Sequence, residues 1–200
     1  MAPDAYRQSG LTRAVLRGGD YKGAEDAAQA VAAVAGVTAT AARTFTYVYW
    51  RALDHIGHEF GLDSDRWRNA LVTVDALAAS LIAVLPGDAT LVVTADHGMV
   101  DCPDDVRFSI DADPQLRRDV LQVAGEPRAR HLYVRPGAAD DVRSAWLDRL
   151  GDHAEVLTRM QLVDAVYLGA VEPALADRIG DVVAIAKAGA MFASSVDARV

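Results

Sequence analysis

Apolar positions along the chain switch between helical and strand-like spacing. Between Gly23 and Gly36, Ala27, Ala28, Val31, Ala32 and Val34 recur at near-helical intervals, which predicts a helix packed through small side chains. Thr44–Trp50 (TFTYVYW) is dense in β-branched and aromatic residues and predicts a buried strand. Asp63 or Ser64 then stands where a helix cap is needed, ahead of an apolar stripe of Trp67, Leu71, Val74, Leu77, Leu81 and Leu85, with Pro86-Gly87 as its stop. Thr90–Ala95 (TLVVTA) is short and continuously apolar, the form of a central parallel strand. Downstream the pattern predicts strands at His131–Val134, Glu155–Leu157 and Asp181–Ala186, and helices at Ala138–Leu150 and Arg159–Leu168. The Asp-, Pro- and Gly-rich stretches Val100–Gln115 and Ala170–Asp181 read as surface loops. Strands alternating with helices predict an α/β fold, a mostly parallel sheet with helices on both faces.

Composition narrows the function classes. Of 200 residues, 52% are hydrophobic and 24% charged, enough apolar content for a packed core. The formal net charge of −8 argues against binding a nucleic-acid duplex, which needs a positive face. One cysteine, Cys102, excludes an internal disulfide framework and a thiolate metal cluster. The N-terminus carries no signal-peptide pattern, and the apolar runs are interrupted by Asp, Thr or Gly. The expectation is a cytoplasmic chain that spans no membrane; nothing in the sequence fixes an oligomeric state.

The chemistry concentrates in two short segments. Asp54-His55-Ile56-Gly57-His58 follows the aromatic strand, and Asp96-His97-Gly98-Met99 follows TLVVTA. Ligand sites of open α/β sheets gather at the carboxyl ends of strands, so a right-handed crossover brings both segments to one edge. Asp and His together supply the oxygen and nitrogen donors that divalent metals take. Asp54 and His58, four apart, aim at one point from a helical turn or compact loop, and Gly98 relaxes the backbone where a Cβ would crowd the site. The competing reading gives each segment a structural role only, as a turn or a cap. Two such segments, each after an apolar strand, favour metal binding.

Tyr49-Trp50-Arg51-Ala52-Leu53-Asp54-His55-Ile56-Gly57-His58-Glu59-Phe60-Gly61, followed by Thr94-Ala95-Asp96-His97-Gly98-Met99, resembles the type I phosphodiesterase/nucleotide pyrophosphatase family of the alkaline phosphatase superfamily. The shared signatures are D-x-x-G-H-x-x-G and A-D-H-G-M. A related pair occurs in the cofactor-independent phosphoglycerate mutases, but the Met after the glycine and the aromatic run before Asp54 favour the phosphodiesterase branch. The resemblance implies an alkaline-phosphatase-like fold and two zinc ions that activate a Thr or Ser for attack on a phosphodiester or nucleotide substrate. It implies Asp54 and His58 as ligands of one ion, completed by a histidine further along. It implies Asp96 and His97 as ligands of the other, completed by an earlier Asp and the nucleophile.

Those completing residues have no recognisable counterpart. Met1–Arg43 contains no strand-turn segment with an Asp and a following nucleophile, and no His follows His153. The expectation is therefore that residues 1–200 form the central and C-terminal portion of one incomplete catalytic domain, inactive alone, with no catalytic residue to name. Two alternatives stand beside it: a non-catalytic metal-binding remnant, and an α/β interaction domain whose Asp-His segments are structural. Other residues read blandly: His55 as a helix cap or surface group, His153 as exposed, Asp101, Asp104 and Asp105 as an acidic loop, and Cys102 as a free thiol. His131 with Arg128 and Arg130 reads as a solvated loop before a strand, with a phosphate contact as the sharper alternative.

Overall fold

In the computed structural model, which describes residues 1–40, 43–195 and 197, the chain divides into two units, Met1–Met99 and Val100–Val200. The first unit is helical wherever the apolar period is helical. After the short α1 (Gly10–Val15), α2 spans Ala27–Thr40. It starts later than the glycine at 23 because Asp26 accepts a hydrogen bond from the Gln29 amide at 2.8 Å, the bond expected of an N-terminal cap. It also runs past Gly36. α3 (Ala52–Phe60) carries the Asp54–His58 segment, and Gly61, at φ 78°, ends it. α4 spans Asp65–Val84, and the Ser64 hydroxyl accepts from the Trp67 amide at 3.1 Å.

Ala30 and Val34 of α2 pack with Leu77 and Leu81 of α4, and Val48, Trp50 and Leu91 close the cluster. Small side chains on α2 allow this close helix approach. The predicted stripe is only partly inward, since Leu71 is exposed while Ala70 is buried. By length and composition alone α4 is long and apolar enough to cross a membrane, which corrects the reading that every apolar run ends early; Ala70, Leu77 and Leu81 are nevertheless buried within the protein.

Residues 44–50 and 90–95 form no helix and belong to no ladder among the described residues. Phe45, Val92 and Val93 are exposed. The buried strand and the central parallel strand expected there are thus not paired as sheet. Their residue types favour extended backbone, whereas a ladder also needs a neighbouring strand. The backbone pairing that reaches the first segment comes from Met1, whose carbonyl accepts from the Tyr49 amide at 2.9 Å. Ala2 in turn bridges to Gly23 in parallel.

The second unit holds the sheets. β1 (Arg107–Ser109) pairs in parallel with β6 (Met191–Ala193). β2 (Val120–Glu126), β3 (Ala129–Val134), β4 (Ala154–Thr158) and β5 (Val182–Ala186) form an antiparallel sheet in the order β2-β3-β5-β4. The mixed α/β class therefore holds, with the parallel ladder confined to the two-stranded sheet. β5 is apolar throughout because it is central and covered on both faces. Val182, Ala184 and Ala186 join the core of Trp146, Phe192, Leu116 and Leu132, while Val183 packs with Leu162 and Ile179. Trp146 comes from α6 (Ala139–Leu150), where Val142, Trp146 and Leu150 recur at four-residue spacing and are buried. Its indole donates to the Leu116 carbonyl at 3.0 Å, a group at the end of the short α5 (Pro114–Arg117). Leu162 lies on α7 (Arg159–Asp164), closed by a reciprocal Thr158–Gln161 capping box; α7 is shorter than its apolar pattern predicted.

The His131 trio is neither solvated nor a phosphate cradle. β3 alternates partly and fully buried positions, and Arg130 is fully buried. Its guanidinium donates to both oxygens of Asp197, at 2.7 and 2.5 Å, and to the Phe192 and Gly125 carbonyls. Arg128 donates to the Ala188 and Ala190 carbonyls. His131 lies inside β3, and its Nδ1 accepts from the Gly180 amide at 3.1 Å. A Cβ on Gly180 would lie 2.6 Å from the Leu132 nitrogen, so only glycine permits that approach.

Two stability predictions follow from these contacts. Removing the counter-charge of a buried cation costs about 3–5 kcal/mol, so Asp197→Asn should lower urea-unfolding stability by about 3 kcal/mol. An unchanged midpoint would show that Arg130 does not depend on this partner. Burial holds the His131 pKa below its ordinary 6.5. The unfolded chain therefore takes up the proton first as pH falls, and stability present above about pH 6.5 is lost from there downward through the folded-state value. Urea midpoints measured between pH 7.5 and 5 should fall less steeply for His131→Asn than for the wild type. Parallel slopes would be inconsistent with this assignment.

Candidate metal centre

Helix α3 sets Asp54 and His58 one turn apart, on the same face. His58 Nε2 lies 3.3 Å from Asp54 Oδ1. The segment after residues 90–95 brings His97 to the same carboxylate oxygen, with its Nε2 at 3.7 Å. One donor atom from each of Asp54, His58 and His97 lies within 4.8 Å of the others. The two imidazole rings are 6.2 Å apart and inclined at 62°, so they converge on the carboxylate without stacking.

The hydrogen bond at His97 selects its ligating nitrogen. Nδ1 sits 2.9 Å from the Gly98 carbonyl, which can only accept, so Nδ1 carries the proton and Nε2 turns its lone pair toward Asp54. Metal-binding histidines are fixed in this way by a carbonyl on the second nitrogen. Asp96 is placed differently. Its Oδ1 accepts from the His97 amide at 3.2 Å and stands 3.8 Å from His97 Nε2, and its side chain is 85% exposed against 45% for Asp54. The structure thus gathers Asp54, His58 and His97 and leaves Asp96 at the rim. His55 points outward, 3.8 Å from Glu59.

An oxygen and two imidazole nitrogens form a donor set suited to a borderline divalent cation such as zinc. Tetrahedral coordination at about 2.0–2.1 Å spaces donor atoms by about 3.3 Å, against 3.3 and 3.7 Å for the two contacts to Asp54. With all three donor atoms within 4.8 Å of one another, the donor set fits a metal ion.

Two features escaped the sequence reading. A Cβ at Gly98 would meet nothing within 4 Å, so the proposed crowding there is absent. The crowded glycine is Gly57, buried in α3, where a Cβ would run into the Met99 thioether and lie 3.3 Å from Trp67 Cδ1. Met99 packs in the place of that missing side chain and holds the 96–99 segment on the helix. Both residues were visible in the motifs, but their contact joins positions far apart in sequence. Tyr6 and Tyr49 meet edge to face at 5.8 Å, and Arg51 donates to the Tyr6 hydroxyl at 2.8 Å. Burial, then Tyr6 and the carboxylates of Asp54 and Asp96, push the Tyr49 phenol above its ordinary pKa, so it stays neutral.

Gly57→Val should lift Met99 and move His97 away from Asp54. Loss of the groups that orient ligands costs about 10–100-fold in metal affinity, so zinc affinity measured by calorimetry should fall at least about tenfold while circular dichroism retains the helical signal. Unaltered affinity would mean that this packing does not position His97.

Solved structures share this fold. A solved structure of murine ectonucleotide pyrophosphatase/phosphodiesterase 5 aligns with a TM-score of 0.64 at 21% identity, covering 88% of this chain and 46% of that one. The human protein of the same name aligns with a TM-score of 0.69 at 20% identity, with the same coverages. An inactive murine variant in complex with AMP aligns with a TM-score of 0.64 at 20% identity, covering 86% of this chain and 46% of that one. These likenesses establish a shared fold, and the chain spans slightly less than half the length of each relative. No curated protein matches the sequence. The sequence model of the type I phosphodiesterase / nucleotide pyrophosphatase family matches residues 4–198, and the chain belongs to that family.

Proposed function

We propose that this chain is the metal-ligating portion of a phosphodiesterase or nucleotide pyrophosphatase domain, with Asp54, His58, Asp96 and His97 as metal ligands. The observation that carries the reading is the convergence of Asp54, His58 and His97 from two separate segments. Bound zinc would polarise a phosphoryl oxygen and lower the pKa of an attacking hydroxyl. The chain's own residues prepare that chemistry. Asp54 and Asp96 concentrate negative charge where a cation is to be held, and the Gly98 carbonyl keeps His97 in the tautomer with Nε2 as donor atom. Tyr49 stays neutral, its phenol held above its ordinary pKa by burial, then by Tyr6 and the carboxylates of Asp54 and Asp96.

The murine relative solved with AMP makes a nucleoside monophosphate the probe of choice. AMP should bind this chain only when zinc is supplied, and His97→Ala should abolish that binding in a calorimetric titration. AMP binding that ignores zinc, or no binding in its presence, would remove the phosphodiesterase reading. Turnover is a separate expectation. Met1–Arg43 offers no recognisable nucleophile segment, so hydrolysis of bis-p-nitrophenyl phosphate should stay at background. A rate that Asp96→Ala abolishes would overturn that expectation.

A further inference from the structure

We propose that the contact between His131 of β3 and Gly180 is a proton-sensitive latch: protonating His131 releases Pro173–Gly180 from the sheet while the sheet itself stays folded. The device lies wholly within Val100–Val200 and does not depend on the phosphodiesterase reading.

The latch begins with a hydrogen bond of fixed polarity. The Gly180 N–H donates to His131 Nδ1 at 3.1 Å, so the ring is neutral and carries its proton on Nε2. A second proton can enter only at Nδ1. It turns the acceptor into a donor and sets two N–H groups against each other.

The ring has little room to turn away. A Cβ on Gly125 of β2 would stand 3.1 Å from His131 Cδ2, and one on Gly180 would stand 2.9 Å from the His131 Cα. Across the ladders His131 faces Ala124 of β2 and Val183 of β5, neither of which supplies a counter-charge. The charged groups of the surrounding elements are Glu126 on β2, Glu155 on β4, Arg159 on α7, and Asp177, Arg178 and Asp181 around Gly180. Several are already engaged with one another. Arg159 binds Asp177 at 3.3 Å and Asp181 at 2.9 Å, and Glu155 accepts from the Tyr167 hydroxyl at 2.8 Å. Burial is what holds the His131 pKa below its ordinary 6.5, and release returns it toward that value.

The segment yields before the sheet because it is held more lightly. β3 is laddered on both sides. Pro173–Gly180 is attached through separate contacts: the Tyr133 hydroxyl on the Arg178 carbonyl at 2.7 Å, Arg159 on the Ile179 carbonyl at 2.9 Å, and the Ile179 side chain against Leu162 and Val183. Upstream, Val166 sits at φ 60°, a strained conformation for a β-branched residue, and Val166, Tyr167 and Leu168 are exposed. Segments with few buried contacts open below the global unfolding free energy. The released state has the higher His131 pKa, so its share rises as pH falls below about 6.5. The carboxylates stay ionised down to about pH 5, so the latch responds in a window of its own.

Hydrogen exchange of the full chain, read by NMR, tests the latch. Between about pH 7.5 and about pH 5 the protection factor of the Gly180 amide should fall at least about threefold, while the β4 and β5 amides keep theirs. The fall should track the titration of His131 itself, followed through its imidazole resonances. His131→Asn, whose Oδ1 accepts from Gly180 without titrating, should hold Gly180 protection level across the range. Unchanged protection of Gly180 in the wild type, an equal fall in His131→Asn, or a parallel fall in β4 and β5 would overturn the latch. The comparison of Gly180 with the sheet is made in the wild type, so it decides the matter even where the variant fails to fold.

Discussion

The packing of Met99 against Gly57 is the contact on which the metal centre depends. A helix supplies Asp54 and His58 by its own periodicity, but that periodicity alone does not bring in His97. The thioether resting where residue 57 has no side chain supplies the missing constraint. It is a short-range contact between apolar atoms, so it fixes position without adding charge beside the carboxylate. The hydrogen bond from His97 to the Gly98 carbonyl then fixes orientation. Position comes from packing and ring orientation from a backbone acceptor.

The second unit is organised by a different constraint. A strand buried on both faces can be apolar along its whole length, and β5 is. The strands beside it must then answer for each face separately, which is why β3 alternates and why an arginine at an inward position of β3 needs its full set of acceptors. Trp146 fills the space between α6 and the sheet and carries its one polar atom to a carbonyl at the rim, so the largest buried side chain leaves no unpaired group.

Much of this was legible from residue order alone. Helices with strong apolar periods and good caps, such as Asp65–Val84 behind Ser64 and Ala139–Leu150, lie close to where their patterns put them. So do His131–Val134, Glu155–Leu157 and Asp181–Ala186, each within a strand or overlapping one. The pairing of those strands was not legible, because antiparallel or parallel register depends on partners distant in sequence. Arg107–Ser109 and Met191–Ala193 are three residues each, too short to register as a period. Thr44–Trp50 and Thr90–Ala95 show the converse, residue types that fit a strand without a ladder to join. At the metal centre the ligand types and the two segments were legible, but their grouping around Asp54 was not. An Asp-His dipeptide does not reveal that its imidazole will also come within 3.7 Å of a carboxylate on a separate helix.

The Arg130–Asp197 pair bears on the order in which the second unit assembles. The cation lies on β3 and its counter-ion 67 residues later, so during synthesis the strand emerges long before the group that neutralises it. Desolvating an unpaired guanidinium is unfavourable by several kcal/mol. The β2–β3 hairpin can therefore form early only with Arg130 still hydrated, and its inner face closes after the segment bearing Asp197 has arrived. A single buried charge thus acts as a timing element that delays sealing of the core until nearly the whole unit is available.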